Sequence, residues 1–120
     1  MSTLTVTNIK ATGETASRAV SGVAAAWVNI DATSGTPSIS DSTNFSSVTD
    51  QGVGDFDVDF TSAMSSANYA AASGSSPFQN DDHMLVTPRA STGITIQCYY
   101  RWSGFRDRIN NCGIVMGDLA

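Results

Sequence analysis

Four groups of residues in this chain have types that do chemistry. Asp55, Asp57 and Asp59 alternate with Phe56, Val58 and Phe60. His83, the sole histidine, follows Asp81 and Asp82. Cys98 and Cys112 are the two cysteines. Tyr99 to Arg108 reads Tyr-Tyr-Arg-Trp-Ser-Gly-Phe-Arg-Asp-Arg and holds three of the five arginines.

Carboxylates are hard ligands that suit Ca²⁺. On a strand, residues two apart lie about 6.5–7 Å from one another, too far for three of them to hold one ion. The aspartate row therefore reads as a solvated outer face, or as a face that pairs arginine. No EF-type calcium loop is present. A Ser-His-Asp triad needs a nucleophile signature beside the histidine, and no Gly-x-Ser-x-Gly elbow exists. His83 then reads as structural or incidental, and the chain is expected not to be an enzyme. Two cysteines and one distant histidine do not have the spacing of a zinc site. No metal or cofactor is expected.

The Tyr99–Arg108 segment supports two readings. Aromatic and arginine side chains are enriched at interface hot spots, and aromatic faces stack on sugars. One reading is a contact loop of Tyr99, Arg101, Trp102, Phe105, Arg106 and Arg108 for a receptor glycan or a neighbouring protein. The other places Tyr100 and Trp102 in the core, with the arginines solvating the rim.

These residues need strands to position them. The Asp55–Phe60 alternation puts Phe56, Val58 and Phe60 on one face and the aspartates on the other. Gly52 and Gly54 supply the positive φ of a tight reversal, so the segment reads as a β-hairpin centred near Gly52. Further strands are expected around Trp27–Ile30, Ile39, Tyr69–Ser73 and His83–Pro88. Thr61–Asn68 reads as a connection with room for one helical turn. Gly93–Trp102 and Asn110–Gly117 read as a final hairpin. It would set Cys98 against Cys112, Ile96 against Ile114 and Ile94 against Met116, all on a core face. Cross-strand cysteines can be close enough to bridge, whereas synthesis in the cytosol keeps thiols reduced, so the pair reads first as two small buried hydrophobes and second as a disulfide. Lys10–Ser21 is polar, without period, and reads as a linker.

A longer pattern runs through the same region. Trp-Val-Asn at Trp27–Asn29 is followed by Asn-x-Ser-Ser-Val-Thr-Asp-x-Gly-x-Gly-Asp-aromatic-x-Val-x-Phe from Asn44 to Phe60, then Asn68-Tyr69-Ala70. This resembles a family of small tailed-phage virion proteins, many labelled tail fibre proteins. The opening Met1–Ile9 is similar to the start of stand-alone members. The resemblance is densest from Ala26 to Tyr69 and does not extend to the Tyr99–Arg108 chemistry. It implies a homotrimer located in the virion, made in the host cytoplasm and touching other virion proteins.

Composition agrees with a domain of many short strands. The chain has 120 residues, 14% of them charged, with a net charge of −5. That is one domain large enough for its own core. The acidic balance argues against nucleic acid, because phosphate binding needs clustered Lys and Arg. No apolar run is long enough for a membrane-spanning helix, so no membrane insertion is expected. The N-terminus lacks the pattern of a signal peptide. The fold class expected is all-β, an antiparallel β-sandwich or jelly-roll-like domain. Residues 1–25 would form an N-terminal strand, arm and linker, and residues 26–120 the sandwich. Leu4, Val6 and Ile9 would be the assembly contacts of the arm, pairing with a neighbour's sheet. Two functions fit: a tail-fibre component touching the host surface or tail proteins, or a capsid decoration protein whose arm clamps the head shell.

Overall fold

The computed structural model describes residues 5–6, 8–9, 18–19, 24–74 and 82–120. The strands are β1 (Asn8–Ile9), β2 (Arg18–Ala19), β3 (Ala24–Asp31), β4 (Ser38–Thr43), β5 (Phe45–Gly52) and β6 (Asp55–Phe60), followed by β7 (Ala70–Gly74), β8 (Asp82–Ala90), β9 (Gly93–Tyr100), β10 (Gly104–Phe105) and β11 (Asn111–Met116). There is no helix among the described residues.

Two antiparallel sheets pack face to face. One has the order β4-β3-β11-β7. In the other, β9 pairs β8 along one edge; its other edge pairs β6 and, beyond it, β10, with β5 outside β6. Consecutive strands β3–β4, β5–β6 and β8–β9 stay in one sheet as hairpins. A jelly roll would send most of them to alternate sheets, so that part of the expectation is corrected to a hairpin-rich sandwich. The chain changes sheet between β4 and β5 at Asn44, which has a φ of 59°. Asparagine tolerates this left-handed conformation. Its side-chain amide clamps the Ser62 backbone, accepting from the N–H at 2.8 Å and donating to the carbonyl at 3.1 Å.

The core lies between the sheets. Ala26, Val28 and Ile30 of β3 and Val115 of β11 face Phe56, Val58 and Phe60 of β6 and Ile94 and Ile96 of β9. Burying each large apolar side chain contributes about 1.5–3 kcal/mol. Phe60 stacks on Phe45 at 4.8 Å and meets Tyr69 edge-on at 5.7 Å. The Tyr69 hydroxyl lies 2.9 Å from the Ala90 carbonyl and 2.5 Å from that of Gly93, holding the β8–β9 turn. Burial pushes its pKa up.

The Gly52 hairpin forms as expected, with the turn at Val53-Gly54. The final hairpin does not. β9 and β11 belong to different sheets, and β11 pairs β3 and β7. Ile94, Ile96 and Cys98 do face the core. In β11, however, Asn111, Gly113 and Val115 are buried, while Ile114 and Met116 face outward. The reason is space: a methyl group on Gly113 would lie 3.2 Å from Ile96 Cδ1 and 3.3 Å from Ile94 Cδ1. Neither cysteine is in a disulfide. Thr61–Asn68 makes no helical turn and pairs Met64 with Leu119. The segment read as a linker contains β2, which pairs β1 as a separate two-stranded sheet. Leu4 lies outside the described residues, Val6 is exposed, and the Ile9 backbone pairs with Arg18.

Candidate functional site

The β9–β10 hairpin lifts an aromatic and arginine cluster off one end of the sandwich. Tyr100 pairs Gly104, and the Ser103 N–H donates to the Tyr100 carbonyl at 3.3 Å. The turn is Arg101-Trp102-Ser103, closed by Gly104 at φ 83°. A three-residue loop followed by a left-handed glycine is a favoured hairpin connection.

Alternation along β9 sorts the cluster into two sides. Tyr99 and Phe105 are cross-strand neighbours on the outward face, edge to face with centroids 5.7 Å apart. Tyr100 is half-buried on the side of Cys98, beyond the end of the core, and the Arg106 guanidinium covers its ring at 4.4 Å. Arg106 also donates to Ser103 Oγ at 2.9 and 2.6 Å. At the tip, Trp102 is 70% exposed, with the Arg101 guanidinium 4.9 Å from its ring. Such cation–π contacts contribute about 0.5–1 kcal/mol at exposed sites. Trp102 is thus at the surface, and only Tyr100 keeps part of the core reading.

The base of the hairpin is seated on the β5–β6 turn. Asp107 Oδ1 accepts the Gly54 N–H at 2.8 Å, and the Gly54 carbonyl accepts from Cys98 N at 2.8 Å. Arg106 N donates to the Cys98 carbonyl at 3.1 Å, so this segment continues the sheet edge where β6 stops. A methyl group on Gly54 would lie 2.5 Å from Arg106 N and 2.6 Å from Cys98 O. Only glycine fits this approach, and its φ of 65° is left-handed as well.

The segment then crosses to the other sheet. The Arg108 carbonyl accepts from Ala32 N at 3.0 Å and from Nδ2 of the fully buried Asn111 at 2.5 Å. Arg108 also lines an open depression of about 360 Å³ with Thr33, Asp107 and Ile109.

The β9–β10 hairpin thus carries Tyr99 and Phe105 on one side, Arg106 over Tyr100 on the other, and Arg101 with Trp102 at the tip, while the Arg108 backbone lies where the chain crosses to the other sheet. Sequence reasoning missed two neighbours. His83 lies opposite Tyr99 and Leu85 opposite Gln97, both exposed, which extends the Phe105–Tyr99 row across β8. The alternation of His83 and Leu85 with half-buried Met84 and Val86 was the available signal.

The aspartate row is a surface ladder. Thr95 Oγ1 donates to Asp57 at 2.6 Å, and Gln97 Nε2 donates to Asp55 at 3.1 Å. Ser47 Oγ and the Arg89 guanidinium donate to Asp59, and Arg89 Nε lies 3.8 Å from Asp57. Among the described residues, no group of three or more His, Cys, Asp or Glu is placed to hold a metal ion.

The tip can bind by stacking and charge. Aromatic faces take the apolar faces of sugar rings or side chains, and the guanidinium forks take carboxylates or other oxyanions. The fold and site define an antiparallel β-sandwich that presents an aromatic and arginine hairpin. No protein-family model matches the chain, and neither a curated protein nor a solved structure matches it.

Proposed function

We propose that the chain is a non-enzymatic structural protein on the exterior of a tailed-phage virion, of tail-fibre type. It contacts the host surface or neighbouring tail proteins through the β9–β10 hairpin. The observation that carries the contact role is Trp102. Trp102 is 70% exposed at the hairpin tip with Arg101 against its ring, which presents to solvent two of the residue types most enriched at interface hot spots. The virion setting and the homotrimer rest on the Trp27–Tyr69 resemblance. The partner chemistry is a host glycan or an acidic protein surface.

Capsid decoration is the second reading. In its favour, β1 and β2 form their own small sheet and add to neither large one, as a clamping arm would.

Two measurements test this. Trp102→Ala with Arg106→Ala should leave the melting transition nearly unchanged and weaken binding to host cells or to the partner protein by at least about tenfold, the loss of one hot-spot residue. Binding at wild-type strength would remove the tip from the function. Copy number per virion separates the readings: tens on the tail support the fibre role, whereas hundreds on the head support decoration.

A further inference from the structure

Charge is unevenly placed along this chain. The net charge is −5, yet Arg101, Arg106 and Arg108 are three of its six Lys and Arg residues. Asp107 is the one acid in that span, and it accepts the Gly54 N–H. Asp50 and Asp55, on the strands that flank the β5–β6 turn, accept from Gly52 N and Gln97 Nε2. Arg106 is held against the Tyr100 ring and donates to Ser103 Oγ. Arg101 and Trp102 stand together at the tip, both exposed.

We infer that the tip takes a carboxylate-bearing glycan, a sugar chain that contains hexuronate residues. The inference rests on the tip being the contact surface, and it assigns the class of ligand. Two features of the site select it. A guanidinium against an aromatic ring uses its flat face and keeps its in-plane N–H donors, whose fork matches a carboxylate. The exposed Trp102 ring takes the apolar C–H face of a sugar. A hexuronate brings both groups in one residue, a ring face and a carboxylate on the ring edge. A neutral sugar brings Arg101 no oxyanion, and an acidic side chain brings the indole no ring face. The negative body of the chain also repels a doubly charged phosphate more than a carboxylate.

Size decides between a glycan and an acidic protein. A specific protein interface takes about 20–30 residues and about 800 Å² from each partner. The hairpin from Tyr99 to Arg106 has eight residues and falls well short of that. A few sugar residues need no more. Affinity per ligand atom puts one hexuronate at a dissociation constant on the order of 1 mM. Repetition of the site over several copies strengthens so weak a contact by avidity.

NMR titration of the full chain with galacturonic acid trisaccharide tests this, read on the backbone amides and the Trp102 indole N–H. The shifts should centre on Arg101, Trp102, Ser103 and Gly104. The matching neutral galactose trisaccharide should bind at least about tenfold more weakly, the loss of one charge-assisted hydrogen-bonded pair. Added salt should weaken the uronate and leave the neutral sugar unchanged. Arg101→Gln should bring the two sugars to equal affinity, and Trp102→Ala should weaken both. Triglutamate, with carboxylates but no sugar ring, should bind at least about tenfold more weakly than the uronate. Triglutamate binding as well as the uronate would assign an acidic protein and overturn the inference. So would uronate shifts absent from the tip. Host-cell binding that depends on Trp102 and Arg106, without uronate binding, would sink this ligand class and keep the contact role. Uronate binding at the tip, with host-cell binding indifferent to both residues, would keep the ligand class and sink the contact role.

Discussion

β6 and β11 are interior strands of opposite sheets, and each turns three residues inward and three outward. β6 turns Phe56, Val58 and Phe60 inward and three aspartates outward. β11 turns Asn111, Gly113 and Val115 inward, and Cys112, Ile114 and Met116 outward. Judged by hydropathy alone, β11 is inside out. The space between the sheets explains it. β6 and β9 fill that layer with two phenylalanines, a valine and two isoleucines, so the facing strand must supply small side chains there. Core volume is thus divided between facing strands, and the apolar residues displaced from one of them emerge on its outer surface.

The largest test of this contrast removes bulk from each strand. Phe56→Ala should cost about 3–5 kcal/mol by urea unfolding, as for a fully buried aromatic. Ile114→Ala should cost under about 1 kcal/mol in the monomer, because only its exposed outer position is emptied. Equal losses would mean that β11 faces the other way.

Adding bulk is the next test. Gly113→Val pushes two methyl groups against Ile94 and Ile96, whose Cδ1 atoms stand 3.2–3.3 Å from the first added carbon. Overpacking of this kind costs about 1–3 kcal/mol. A stable Gly113→Val variant with an unchanged urea midpoint would refute the tight approach of the sheets.

The cysteines sharpen the contrast without a mutation. Cys98 is buried on the inner side of β9, and Cys112 is half-buried on the outer side of β11. Burial pushes the Cys112 thiol up, so its reactive thiolate is scarcer at pH 8 than that of an unstructured cysteine. Alkylation followed by mass spectrometry should show Cys112 reacting slowly in the folded protein and faster as pH rises toward its raised value. Cys98 should react only on unfolding. Identical, unfolding-limited rates would place both thiols in the core.

Legibility in the sequence followed the same divide. β6 was readable because acid and aromatic residues cannot exchange faces: a one-residue slip would bury three carboxylates. The Gly52 hairpin was readable because its glycines have positive φ. β11 was misread because both of its faces are small or apolar, so a period of two assigns neither face. Its partners were hidden as well. The pairing with β3 joins Asn111 to Ile30, far apart in sequence, and local pattern carries no trace of such a contact. At the tip, the residue types revealed the cluster, but not that the Arg108 backbone pairs with the other sheet or that Gly54 seats the hairpin. Those depend on the chain crossing between sheets after β10.

The outward faces provide the smallest test. Asp59 and Arg89 pair across the surface of one sheet, both partly exposed. Exposed ion pairs contribute about 0.2–1 kcal/mol and weaken with salt. Asp59→Asn should therefore lower stability by about 0.5 kcal/mol at low salt, with the difference shrinking as salt is added. Ile114→Asn on the opposite sheet should show no salt dependence in the monomer, having no charge to screen. A salt-independent loss at Asp59 would assign its role to the Ser47 hydrogen bond and not to Arg89. The two outer faces would then differ in hydropathy but not in electrostatics.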